Sequence, residues 1–159
     1  MGIKQLNATS TSVEQIRHEM DRLASTLPEY STVMSMRGVG PTLGPQLIAE
    51  IGDITRFTHR EALTAFAGVD PGVNQSGQFS VRSNRASKCG PPRLRKALFL
   101  VMDCLLKTSP ADDPVYQFLD KKRSEGKPYN VYMTAGANKF LRIYYGKVKA
   151  YLASQAKSE

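Results

Sequence analysis

The tightest constraint on this fold is the spacing of apolar residues between Gly90 and Lys107. Leu94, Ala97, Leu98, Val101 and Leu105 fall three and four apart, and the apolar residues between them widen the stripe. That period belongs to an α-helix with one face in a core, not to a strand. The prolines at 91 and 92 stand where such a helix begins, where a missing N–H costs nothing. A second stripe (Phe140, Leu141, Tyr144, Tyr145, Val148, Tyr151 and Leu152) predicts a long helix from Pro128 to about Ser154. Tyrosines at this spacing read as core rather than as base-stacking platforms. Phe79 to Val81 is the only candidate strand. The fold class is therefore mainly α: a compact helical domain with an N-terminal amphipathic helix and a long C-terminal helix.

The N-terminal region, 1–28, opens with eight patternless residues that read as frayed. Thr11-Ser12-Val13-Glu14 then offers a capping box, a hydroxyl for an orphan N–H with a glutamate to reciprocate. Val13, Ile16, Met20, Leu23 and Leu27 follow as one apolar seam, closed by Pro28. Such a seam packs on its own domain or pairs with another subunit, and it resembles the tail of a longer helix or coiled coil. Residues 29–159 read as the helical domain proper. Within it, residues 30–52 give helix, Gly38-Val39-Gly40, Pro41, helix, the pattern of a helix-hairpin-helix motif. There the short helix ends at Gly38, Val39 plugs the core, Gly40 permits a tight turn and Pro41 starts the second helix. Glycines let the hairpin backbone approach a phosphate, and N–H groups at the second helix's start point at it. Thr42 stands where lysine is common and Gly44 where alanine is usual, so a hairpin that merely packs is the other reading. His59 begins a short helix to Ala67 and reads as a surface residue. Val115 to Glu125 reads as a further short amphipathic helix.

Charge sets the class of partner. The formal charge is +8, which says nothing of fold but favours a phosphate-rich partner. No acid lies between Pro71 and Met102, whereas Arg82, Arg85, Lys88, Arg93, Arg95 and Lys96 all do. Cations in a helix's first turn oppose its dipole, so Arg93, Arg95 and Lys96 either neutralise phosphate or are simply solvated. Lys139 and Arg142, with Lys147 and Lys149, form a second basic strip off the buried face. With two histidines and no CxxC pair (Cys89 and Cys104 read as reduced thiols), a histidine-based metal site or triad is not expected. No run reaches membrane-span length and no signal pattern opens the chain, so a cytoplasmic location is expected.

Ser76 lies in a glycine-rich loop, 70–90, that leads into the basic run. A serine nucleophile needs a pliable loop, positive charge for the scissile phosphate and something to take its proton. The chain offers the first two and no neighbouring base. On the residues alone Ser76 is a turn residue, with Ser87 a rival that reads as a cap.

Four stretches in order carry a resemblance. They are Gly38-Val39-Gly40 through Ile51-Gly52-Asp53; Phe57 through Ala65-Phe66-Ala67-Gly68 to Pro71; Gln75-Ser76-Gly77 with Ser87-Lys88-x-Gly90-x-x-x-Leu94-Arg95; and Gly126-Lys127-Pro128 with the helix to Tyr144. Together they resemble the C-terminal domain of transposases of the insertion-sequence 110 family, the bridge-RNA-guided recombinases. Pro91-Pro92 and Asn138, where arginine commonly precedes lysine, depart from the pattern. The resemblance implies a serine, Ser76 here, that attacks DNA and becomes linked to it. Mg²⁺ would be held not by this chain but by a separate RuvC-like domain with an Asp-Glu-Asp-Asp site. Gly38, Gly40, Thr42, Arg82, Arg85, Ser87, Lys88, Arg93, Arg95, Lys96, Lys139 and Arg142 would contact nucleic acid. The implied partners are DNA, a structured bridge RNA and further copies of the protein, in a prokaryotic, nucleoid-associated setting. No RuvC-like stretch is recognisable here. The expectation is a part of a longer protein, a fragmentary gene product or a free-standing domain, which binds nucleic acid without recombining it. A non-catalytic helix-hairpin-helix module is the alternative, and an RNA-binding or scaffold protein a third.

Overall fold

The computed structural model describes residues 1–70 and 89–158, together with the backbone of 75–76 and 79–80. The helix predicted from the central stripe is α5, Pro92–Thr108, and it buries Leu94, Ala97, Leu98, Val101, Met102 and Leu105. Around it pack α3 (Leu43–Ile51), α6 (Pro114–Ser124) and α7 (Tyr129–Ala156). Asp113 caps α6 by accepting the N–H groups of Val115 and Tyr116, both at 2.9 Å, and Pro114 opens its first turn.

α7 crosses α6 where Gly136 stands. A Cβ at that position would collide with Leu119 and crowd the sulfur of Met102, so the glycine is a point of close helix approach. The inner face of α7 buries Phe140, Leu141, Tyr144, Tyr145 and Val148, as its stripe predicts, and also Met133 and Ala137 nearer its start, whereas Tyr151 and Leu152 are only partly covered. α4 (Arg60–Ala67) lies across α7 and ends at Gly68, φ 69°, in the left-handed region. His59 caps α4, its Nδ1 accepting the Ala62 N–H at 3.1 Å.

The N-terminal helix departs from expectation. α1 runs Gly2–Ala24, so the residues read as frayed are helical and the capping box lies inside the helix. The hydroxyls explain the error. Those of Thr9, Thr11 and Ser12 donate to the carbonyls of Gln5, Asn7 and Ala8, one turn back. The same side chains that cap a helix can also bond back within one. α1 packs against α3 and buries only Ala24, while Val13, Ile16, Met20 and Leu23 remain exposed.

α2 (Tyr30–Met34) and α3 form a helical hairpin. The expected extended piece near Phe79 is present as Phe79–Ser80, which pairs antiparallel with Gln75–Ser76, Ser76 opposite Phe79. Apart from these four residues the described chain is helix and connecting turn.

Candidate nucleic-acid interface

The hairpin's glycines do different work from that expected of them. Gly38 carries the left-handed conformation, φ 81°, and a Cβ there would press on Val101 and Leu105 of α5 at 3.0 Å. Gly40 has no positive φ, and nothing lies within 4 Å of where its Cβ would stand. The tight turn therefore depends on Gly38, not Gly40. Gly44 lets α2 and α3 touch, since a side chain there would overlap the sulfur of Met34. Pro41 and Thr42 sit in a turn before α3, which begins at Leu43 rather than at Pro41. Thr42 is exposed at the N-cap and makes no side-chain capping bond. Val39 packs against the core half-buried, as predicted.

Thr42 faces a cleft of about 250 Å³ that it shares with Arg93 of α5, Gln46 and Glu50 of α3, and Arg17 of α1. Here the hairpin turn and the first turn of α5 come together. Arg93 and Lys96 are exposed, and neither joins an ion pair among the described residues.

The other described candidates lie elsewhere and are already engaged. Arg95 donates from Nη1 to the carbonyl of Gly90 at 2.7 Å. Arg142 on α7 donates to Glu61 Oε1 of α4 at 2.9 Å, and Arg60 donates to the same oxygen at 2.9 Å. The Arg60 hydrogen bond leads in holding the Glu61 carboxyl below its usual range, with the Arg142 charge adding to it. Lys139 places its ammonium 4.9 Å from the ring centre of Phe118 on α6, a cation–π contact. Neither Lys139 nor Arg142 lines the Arg93 cleft.

Both flanks of the serine loop are fastened to the helical body. On the near side the Asn138 amide donates to Asp70 Oδ1 at 2.8 Å and to the Val69 carbonyl at 3.4 Å. On the far side Gly90 lies so close to the Phe66 carbonyl that no side chain fits. Ser76, as a side chain, and Arg82, Arg85, Ser87 and Lys88 lie outside the described residues. The anchors at Asn138, Asp70 and Gly90, like Arg17 in the cleft, were not found by sequence reasoning. Their partners are distant in the chain, so the pattern around Gly90 and the departure at Asn138 do not reveal the anchoring.

Among the described residues no group of three or more histidines, cysteines, aspartates or glutamates could hold a metal ion, and no helix is long and apolar enough to cross a membrane.

The described residues form a helical body with Arg17 and Arg93 on one cleft, and sequence comparison identifies the family. Residues 30–117, more than half of the chain, match the Transposase IS116/IS110/IS902 family, and the chain belongs to it. It is 29% identical over 140 residues to the mini-circle putative transposase for IS117 of Streptomyces coelicolor, covering 87% of this chain and 33% of that protein. It is 26% identical over 144 residues to the pilin gene-inverting protein of Moraxella bovis, covering 88% of this chain and 44% of the relative. The insertion element IS110 uncharacterized 43.6 kDa protein of Streptomyces coelicolor is 24% identical over 151 residues, with 92% and 36% covered. The chain thus spans less than half the length of these curated relatives.

Proposed function

We propose that this chain is the C-terminal, DNA-binding and serine-bearing part of a transposase or recombinase that acts through a covalent serine–DNA link. The observation that carries the reading is the siting of the cleft. Arg93, which lines it, and Lys96, farther along α5, are exposed and outside every ion pair among the described residues, and they stand just after Gly90, where the chain leaves the loop that contains Ser76. Cations left without carboxylates are available to phosphates, and phosphate contacts position a duplex without reading its sequence.

In this reading the Ser76 oxygen bonds to a backbone phosphorus, one bridging P–O bond breaks, and the released sugar oxygen takes a proton. Arg82, Arg85, Ser87 and Lys88 flank the scissile phosphate, and the hairpin at Gly38, Gly40 and Thr42 holds the duplex further along. Lys139 and Arg142 form an outer strip, Arg142 exchanging Glu61 for phosphate. Mg²⁺ belongs to a RuvC-like domain. A structured bridge RNA would choose the sites, and the exposed seam of α1 suits pairing with another copy. The setting is the prokaryotic cytoplasm, in association with the nucleoid.

The α2–α3 hairpin also supports a second reading, a helix-hairpin-helix module that binds DNA without cutting it. Ser76→Ala separates the two. In the protein joined to its RuvC-like part, with Mg²⁺ and guide RNA supplied, the variant should bind duplex DNA as the wild type does and form no protein–DNA adduct. Adducts that persist in the variant would remove Ser76 as nucleophile and leave Ser87 to be tried. Their absence from the wild type as well would favour the binding module.

A further inference from the structure

We propose that α1 is part of the nucleic-acid surface, with Arg17 and Arg93 gripping one backbone phosphate of duplex DNA between them across the cleft at Thr42. The inference rests on the DNA-binding reading above and adds an element to it that the family match, which begins at residue 30, does not include.

The first ground is electrostatic. Arg22, Arg37, Arg60, Arg123 and Arg142 each hold a carboxylate within 2.9 Å. Arg17 and Arg93 hold none among the described residues, though they line one cleft. The loop residues 71–88 contain no acid that could serve them. Two guanidinium groups facing a shared opening repel one another, and an anion seated between them relieves that repulsion. A phosphodiester suits the position, because each guanidinium presents a planar fork of donors to its oxygens.

The second ground is placement. Met20, one turn beyond Arg17, lines the same cleft with Pro45 of α3, so the packing of α1 on α3 fixes where Arg17 stands relative to the hairpin. Arg17 itself is exposed and is not needed to fill the core. Arg93 also belongs to the acid-free run of sequence from Pro71 to Met102, which favours a long polyanion over a small free phosphate. Glu50 is the one carboxylate on the cleft among the described residues, and it should weaken the grip.

The test uses the full chain and a fluorescent DNA duplex of arbitrary sequence, titrated across a salt series. Arg17→Ala should bind about fivefold more weakly at low salt, with a log–log salt slope shallower by up to about 0.9, the share of one phosphate that Arg93 alone holds less firmly. Glu50→Gln should bind more tightly, about twofold. Both variants should melt with the wild type, so the changes are not losses of fold. Wild-type affinity and slope retained in Arg17→Ala would overturn the inference and leave the parent reading standing. Free inorganic phosphate that abolishes the Arg17 effect at concentrations too low to alter ionic strength would overturn it too, in favour of a small-anion site. No salt-dependent binding by the wild type would take down both.

Discussion

α1 and α5 carry the same apolar period and meet opposite fates. On α5, Leu94, Ala97, Leu98, Val101 and Leu105 are wholly buried. On α1, Ile16 keeps 61% and Leu23 53% of their surface in water. The period says that each segment is a helix with two unlike faces. It says nothing about what covers the apolar one. For α5 the cover is α3, α6 and α7 of the same chain, whereas α1 packs mainly on α3, with one hydrogen bond from Tyr30 of α2 to its Asp21, and buries only Ala24 near its C-terminal end.

The sharpest way to break this comparison is to cut the same kind of side chain from each seam. Leu98→Ala on α5 should lower the unfolding free energy by about 2–5 kcal/mol, since methyl groups are lost and a cavity is left among packed neighbours. Urea unfolding followed by circular dichroism reads this directly. A loss below about 1 kcal/mol would mean that the centre of the body is looser than its burial implies.

A polar-tipped member of the buried set sharpens the contrast through pH. Tyr144 on α7 is 1% exposed, and burial above all, then the charge of Glu29, pushes its phenol up from the ordinary value near 10. For a group with a raised folded value, stability is intact below the unfolded value and falls as pH rises through the window above it. In this case the unfolded chain ionises from about pH 10 while the folded one stays neutral. At pH 11 that favours unfolding by about 1.4 kcal/mol, one unit past the unfolded value. Tyr144→Phe should remove this part of the alkaline loss, and melting curves at pH 8 and pH 11 would show it. An equal drop in both proteins would mean that water reaches the phenol in the folded state.

Much of the helical body was legible because the signals were local. Pro92, Pro114 and Pro128 mark helix starts, and Gly68 and Gly126 mark stops, their φ of 69° and 73° being those that favour glycine. Illegible features were those settled by a distant partner. Nothing local in the sequence marks Gly136 as a contact point, yet Leu119 stands against it. Arg142 looked like one cation of a strip until Glu61, on another helix, took its guanidinium. The site was legible as charge and not as geometry: the run from Arg82 to Lys96 stands out in the sequence, but which cations stay unpaired is decided by where α4 and α6 place their carboxylates and rings. Near the N-terminus a local signal misled, because Thr11 and Ser12 can satisfy a helix start or a carbonyl one turn back.

The smallest effect is expected where the comparison is most exposed to failure. Ile16→Gln on α1 replaces an apolar side chain with a polar one of similar helix preference, so neither packing nor propensity should register. The folded domain should keep its stability to within about 0.5 kcal/mol, against the severalfold larger loss set for Leu98→Ala. A matching loss in dilute solution would mean that the domain's own surface covers Ile16. If the seam pairs with another copy, the variant should instead lose stability only at high protein concentration, where mass action links assembly to folding. Sedimentation of wild type and variant across a concentration series separates these cases: wild-type association that Ile16→Gln abolishes places the missing cover on a second molecule, and identical monomeric behaviour leaves the seam to a different partner.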